Sequence, residues 1–346
     1  MKKLSDYSTE SQAKNAAESA RAEVKIERLV AKVGLSLKNP VTAIEVKPAG
    51  AQFTFGKWTL DALNSTFYPF AEKTILDAAH TGSFYGHNFY TKDPNFLPVT
   101  IGEGLDFATI DPDTYDPNLP QDTEWMDDDE VTYRIENTMD ADEQKYGNAT
   151  RVVIKGIYCP DASWTLGDDW FSFAGTNYAS LAALQNAYMA AASGTNLVNA
   201  CDDMFDKIKA YYTQKGLSFT ADDFSDLTPN ILGNVQNGGQ VVKSDDPDTP
   251  CIRWYQGGLN YYYYEIHHND MTNVLMDFGK YGIVRNNWYS LTLSSVNGAG
   301  TPWYPEIIKP GPGDPDPTDP IDQEAGYLGI EVQLAPWILW TRDIDI

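Results

Sequence analysis

Tyr327-Leu328-Gly329-Ile330-Glu331-Val332-Gln333-Leu334-Ala335-Pro336-Trp337-Ile338-Leu339-Trp340 alternates its side chains as a β-strand does. Ile330, Val332 and Leu334 fall on one face, and Glu331 and Gln333 fall on the other. Pro336 then interrupts the ladder, because it has no N–H to give, and a second apolar group follows. Such a strand reaches roughly 45 Å at ~3.3 Å per residue. Before it stands Pro310-Gly311-Pro312-Gly313-Asp314-Pro315-Asp316-Pro317, a stiff extended segment that cannot pair inside a sheet. An apolar strand behind a stiff linker has two uses. It folds back as its own domain's edge, or it leaves to complete the sheet of another molecule.

Working outward, residues 23–33 alternate as a strand whose apolar phase shifts near Leu29, which predicts a bulge or a change of buried face there. Further strands are expected at 41–48, 51–60, 131–136, 150–158, 252–267 and 282–297. One helical region is expected, over 178–192 and 197–215. In it Leu197, Cys201, Met204, Ile208 and Tyr212 keep helical spacing and Gly216 supplies the C-cap. That stripe reads as packing on a parent sheet. Residues 138–148 are polar and form the expected join between two domains.

The composition agrees with a strand-rich molecule. Aromatic residues make up 13% of the 346, with 21 Tyr and 9 Trp, beside 26 Gly and 20 Pro as turn formers. A net charge of -24 repels phosphate backbones, which excludes nucleic acid as a partner. No run approaches the ~20 apolar residues of a membrane-spanning helix. Met1-Lys2-Lys3 begins like a signal peptide, but no apolar core follows.

Catalytic patterns are missing from the sequence. The four histidines, His80, His87, His267 and His268, form no zinc motif, and the last two are adjacent and would face opposite ways in a strand. No phosphate-binding loop or nucleophile elbow occurs. Cys159, Cys201 and Cys251 have no metal-ligand spacing and read as packed thiols, with one disulfide plus a free thiol as the alternative. Asp111-Pro112-Asp113-Thr114-Tyr115-Asp116 lacks the glycine and glutamate of a calcium loop. No enzyme, cofactor or metal site is expected.

Four phrases resemble the fimbrillins of Bacteroides and Porphyromonas, in particular the minor-fimbrium major-subunit family of type V pilins. They are Ile26-Glu27-Arg28-Leu29-Val30-Ala31-Lys32-Val33, Thr150-Arg151-Val152-Val153-Ile154-Lys155-Gly156-Ile157-Tyr158, Tyr261 to His267 followed by Tyr281-Gly282-Ile283-Val284-Arg285-Asn286-Asn287-Trp288-Tyr289-Ser290-Leu291, and residues 329–337 with the ending Asp343-Ile344-Asp345-Ile346. The third is the most specific.

The resemblance implies a mainly β fold of tandem transthyretin-like β-sandwich domains, with a small helical insertion in the second. On it, residues 1–21 are a polar tail and 22–147 the remainder of a first sandwich whose early strands are missing. Residues 148–325 are a second sandwich, with the insertion at 178–215 and the Pro-rich linker at 310–320, and 326–346 are a donor strand. It also implies a structural subunit of an outer-membrane-anchored surface fimbria. Such a subunit would polymerise with identical or related subunits, anchor and tip proteins included, by giving its C-terminal strand to a neighbour, and would support adhesion to host or bacterial receptors.

The assembly residues would be Ile330, Val332, Leu334, Trp337, Ile338 and Trp340, whose burial contributes ~8–15 kcal/mol before association costs. Family precursors are cut after an arginine. Arg21, in Ala20-Arg21-Ala22, has that form, but its place relative to the phrase at 26–33 makes it a coincidence. The rival reading is a monomeric or tip adhesin that binds glycan or host protein, with tyrosine and tryptophan as stacking faces.

Overall fold

The computed structural model describes residues 8–19, 27–70, 72–76, 89–96, 107–108, 125–237, 251–269, 274, 276–307, 314–321 and 328–336. Two units separate. One combines Met1–Arg28 with Ile338–Ile346, and the other is Leu29–Trp337. In the first unit a single helix is described, α1 (Glu10–Ser19), with an exposed Glu10–Lys14 pair one turn apart. Arg21, Ile338 and Trp340 lie outside the described residues, as do Trp337, His80, His87 and the acidic run at 111–116.

The second unit is mainly β. Its strands are β1 (Val30–Leu37), β2 (Glu45–Val46), β3 (Gln52–Asp61), β4 (Leu63–Asn64), β5 (Glu72–Ile75), β6 (Phe89–Lys92), β7 (Phe107–Ala108), β8 (Val131–Ile135), β9 (Arg151–Cys159), β10 (Trp170–Phe173), β11 (Thr176–Tyr178), β12 (Arg253–Tyr255), β13 (Leu259–Glu265), β14 (Asn287–Val296) and β15 (Leu328–Pro336). The largest sheet runs β15-β14-β1-β8, with β2 also paired to β14. Its β1–β14 pairing is parallel, and the β15–β14 and β1–β8 pairings are antiparallel. A second sheet runs β13-β9-β3, all antiparallel.

These two sheets enclose the main core. β1 contributes Ala31, Val33 and Leu35, and β14 contributes Tyr289, Leu291 and Leu293. From the facing sheet come Trp58, Leu60, Val152, Ile154 and Tyr262. The period-two alternation of β1 and β14 puts every second side chain into that core, which is the sandwich arrangement. Strands before and after residues 138–148 share both sheets, for β1 lies between β14 and β8, and β9 lies between β3 and β13.

Residues 138–148 are themselves largely buried, and several of their polar side chains bond to the chain around them. Gln144 donates to the carbonyls of Met276 and Asp277 and accepts from Tyr281 N–H, while Asn137 just before them donates to Asn148 O at 2.8 Å. Polarity there marks a buried hydrogen-bonded segment, because each polar group replaces a water contact with a chain contact.

The helical region forms where the spacing places it. α2 (Leu181–Ala190) is capped by Ser180 and α3 (Asn196–Gln214) by Thr195, and Gly216 ends α3 at a φ of 66°. A further helix, α4 (Pro229–Asn237), joins them. Cys201, Met204, Ile208 and Tyr212 are buried with Phe171, Phe173 and Trp254 of the β11-β10-β12 sheet in a core of their own, with Leu197 packed against it. All three cysteines are free thiols, Cys159 and Cys201 buried and Cys251 half-buried.

Candidate assembly site: the C-terminal strand and its slot

β15 lies at the outer end of the large sheet and pairs along its length with β14, from Asn287 opposite Pro336 to Val296 opposite Leu328. In this single chain the C-terminal strand is therefore folded back on its own sandwich. Leu328 is buried in the main core, and Ile330, Val332 and Leu334 are half-buried against it. Glu331 and Gln333 are exposed, with Glu331 3.7 Å from Lys38. The alternation read in the sequence thus sets which face goes inward, and the remaining edge of β15 bounds the sheet.

The described part of the Pro-rich segment is tied down. Gly147 N–H donates to Pro317 O at 2.9 Å, Tyr146 N–H to Asp319 O at 3.2 Å, and Ile321 N–H to Gln144 O at 3.2 Å. Ile321 is buried with Met139, Tyr146, Ala149 and Tyr281. Residues 322–327 then connect this anchor to β15.

The slot's inner wall is the phrase 281–291. Gly282 has a φ of 106°, and a Cβ there would run into Asn137 O, so only glycine allows this close approach. Asn286 turns the chain at a φ of 63°, and Asn287 braces the turn by donating to the carbonyls of Val284 and Arg285. Arg285 is buried against Glu136 and donates to Tyr68 O at 2.7 Å. The Tyr289 hydroxyl accepts from Val284 N–H and lies 2.7 Å from His268 Nδ1. On its other side His268 Nε2–H donates to Phe89 O at 2.8 Å, so the ring is held from both nitrogens. His267 stacks on Tyr264 instead, so the two neighbours do face different surroundings.

Behind this wall lies a polar network that the sequence did not announce. Thr91 and Arg285 both meet Glu136, and Asn64 joins Asp93 to Glu136 O. Burial pushes the Asp93 carboxyl up to about 7, against the lowering effect of N–H donors from Thr138 and Asn95. Asp61 holds Arg151 at 2.9 Å and accepts from Tyr304 at 3.0 Å. Arg151–Asp61, between β9 and β3, and Arg285–Glu136 are buried ion pairs. Among the described residues no group of three or more His, Cys, Asp or Glu is arranged to hold a metal ion, and no helix is long and apolar enough to cross a membrane.

Comparison with known proteins gives one family match. Residues 253–343 match the model of the major fimbrial subunit protein type IV, fimbrillin, C-terminal. Among curated proteins none matches. Two solved structures are similar at low scores. One is a fimbrilin from Porphyromonas gingivalis W83, at 14% identity and a TM-score of 0.31, covering 91% of this chain and 60% of that one. The other is a protein assigned to cell adhesion from Bacteroides eggerthii DSM 20697, at 12% identity and a TM-score of 0.26, covering 90% of this chain and 56% of that one. The chain thus spans 60% and 56% of their lengths, and TM-scores this low carry no argument. Slot and strand, β14 and β15, both fall inside the matched residues, and the C-terminal region of this chain, 253–343, is similar to the C-terminal region of the fimbrillins.

Proposed function

We propose that the chain is a structural subunit of a cell-surface fimbria, and that its subunits join by exchange of the C-terminal strand. The observation that carries this reading is the place of β15. It is an end strand, bonded to the sheet through β14, half-buried, and connected to a firm anchor at Ile321 by residues 322–327. A strand held in this way can leave its own slot and enter the same slot of a second copy without changing a single pairing. Exchange of this kind is a low-cost route to assembly, because the strand trades one set of bonding partners for an identical set in the neighbour. Open, head-to-tail exchange grows a filament, whereas a reciprocal swap would close into a dimer.

On this reading Ile330, Val332 and Leu334 are assembly residues, and Trp337, Ile338 and Trp340, which follow them in the sequence, belong to the same set. Partners are other fimbrial subunits at the cell surface, anchored to the outer membrane, with adhesion as the task of the fibre. The work is mechanical, and the buried ion pairs brace the sandwich that carries the load.

A cross-link tests the exchange. Ser290 and Gln333 are directly opposite on the outer face of β14 and β15. A Ser290→Cys, Gln333→Cys variant, oxidised after fibre growth and run on a denaturing gel, is expected to give a ladder of joined chains absent from either single variant. Only monomers with an internal disulfide, taken from intact fibres, would refute strand exchange.

A further inference from the structure

The two strands of the assembly site do not keep the same phase. Along β15 the core-facing residues Leu328, Ile330, Val332 and Leu334 follow an unbroken period of two. Along β14, Tyr289, Leu291 and Leu293 face the core and the next to do so is Val296, three positions on. The pairing shifts between Leu293 and Ser295, so Ser294 is an inserted residue that bulges from the ladder. Gly329 sits opposite this irregularity, paired with Ser295. A Cβ at 329 would collide with Ser295 Oγ and would lie 3.3 Å from Ser295 Cβ and 3.2 Å from Ser294 Oγ. Ser294 Oγ donates to Gly329 O at 2.9 Å, which fixes the strand at the same point.

We infer that Gly329 and the Ser294–Ser295 bulge form a register lock, which decides where the C-terminal strand seats and which strands the slot accepts. Alternation alone leaves the register open. A slip of one residue turns Ile330, Val332 and Leu334 outward and is excluded by their burial. A slip of two keeps the apolar face inward and is not excluded by hydrophobicity. It brings Glu331 opposite Ser295 in one sense, or Tyr327 in the other, and each carries a Cβ that forces the Ser295 hydroxyl out of its place and presses on Ser295 Cβ and Ser294 Oγ. The pattern opposes odd slips, and the displacement of Ser295 that a side chain at the glycine position requires opposes even ones. The accepted strand is one with glycine between the first and second of four alternating apolar residues, and the partner the lock fits is a second copy of this chain. That last step rests on the strand-exchange reading, whereas the lock within one chain does not.

The test is a cycle of Gly329→Ala, Ser295→Gly and the double variant in the full chain. Amide hydrogen exchange of residues 330–334 is the readout. Gly329→Ala is expected to speed it by about tenfold or more, and the same change made on Ser295→Gly by about threefold or less, since the colliding side chain is gone. Equal acceleration in both backgrounds, or none in either, overturns the lock. Fibre growth supplies the second arm: Gly329→Ala should shorten or abolish fibres, and adding Ser295→Gly should restore them. A wild-type chain that never forms fibres would sink the exchange reading, while the amide cycle would still decide the lock.

Discussion

At the scale of single residues, buried charge is the feature that sequence alone conceals. Glu136 and Arg285 are both fully buried and meet each other. Removing one partner leaves the other charged and unpaired, which costs about 3–5 kcal/mol. Glu136→Gln is therefore expected to lower unfolding stability by that amount in urea titrations, and Glu136→Met with Arg285→Met to recover much of it. A Glu136→Gln loss below about 1 kcal/mol would show that the pair is not desolvated. Asp93 gives a pH signature. Its folded carboxyl is raised to about 7 by burial, while in the unfolded chain it titrates near ~3.9. Between those values the folded state holds the extra proton, so its stabilising share is complete at acid pH and is lost as pH rises through about 7. Urea midpoints at pH 5 and pH 8 should differ less in Asp93→Asn than in wild type. An unchanged difference would place the pH dependence elsewhere. None of this was legible in the sequence, because Asp93, Glu136 and Arg285 are far apart in the chain and carboxylates are plentiful in it.

At the scale of elements the sequence was far more informative. Alternation located β15, the strand-rich stretches at 150–158 and 282–297 located β9 and β14, and helical spacing with Gly216 located α3 and its end, whereas the strand expected at 23–33 lies at 30–37, with 27–29 outside any strand. Short elements escaped. β10 and β11 span only four and three residues, too few for a period to register, and α4 opens on a proline inside a polar stretch. Residues 138–148 read as a connector because polarity shows in a sequence while the bonds that satisfy it do not. The helices and their small sheet own a separate core, so they should also respond separately. Ile208→Ala is expected to cost about 2–4 kcal/mol and to accelerate amide exchange in α2, α3 and α4 with little change in β9 or β14. Equal acceleration in both regions would join the two cores into one cooperative unit. For β15, Val332→Asp places an unpaired charge against the main core. It should cost the monomer about 1–3 kcal/mol and abolish fibres seen by electron microscopy. Normal fibres from this variant would remove Val332 from the set of assembly residues.

At the scale of the whole molecule, the candidate site was legible in outline, since the alternation of Ile330, Val332 and Leu334 identified the strand and its inward face. The slot was not, because it is made by a strand some forty positions earlier and by a bulge that leaves no mark beyond an apolar residue arriving one position late, at Val296. The parallel pairing of β1 with β14 has a consequence in time. Ser36 and the Leu291 carbonyl it meets are 255 residues apart in the chain. At ~5–20 residues per second, a ribosome needs tens of seconds to supply the second after the first. Pairings at such separation are slow to form even then, because a long loop must close before any contact repays it. The central sheet cannot be sealed until nearly the last strand has emerged. For all that interval the inner edge of β1 waits without the strand it will pair with.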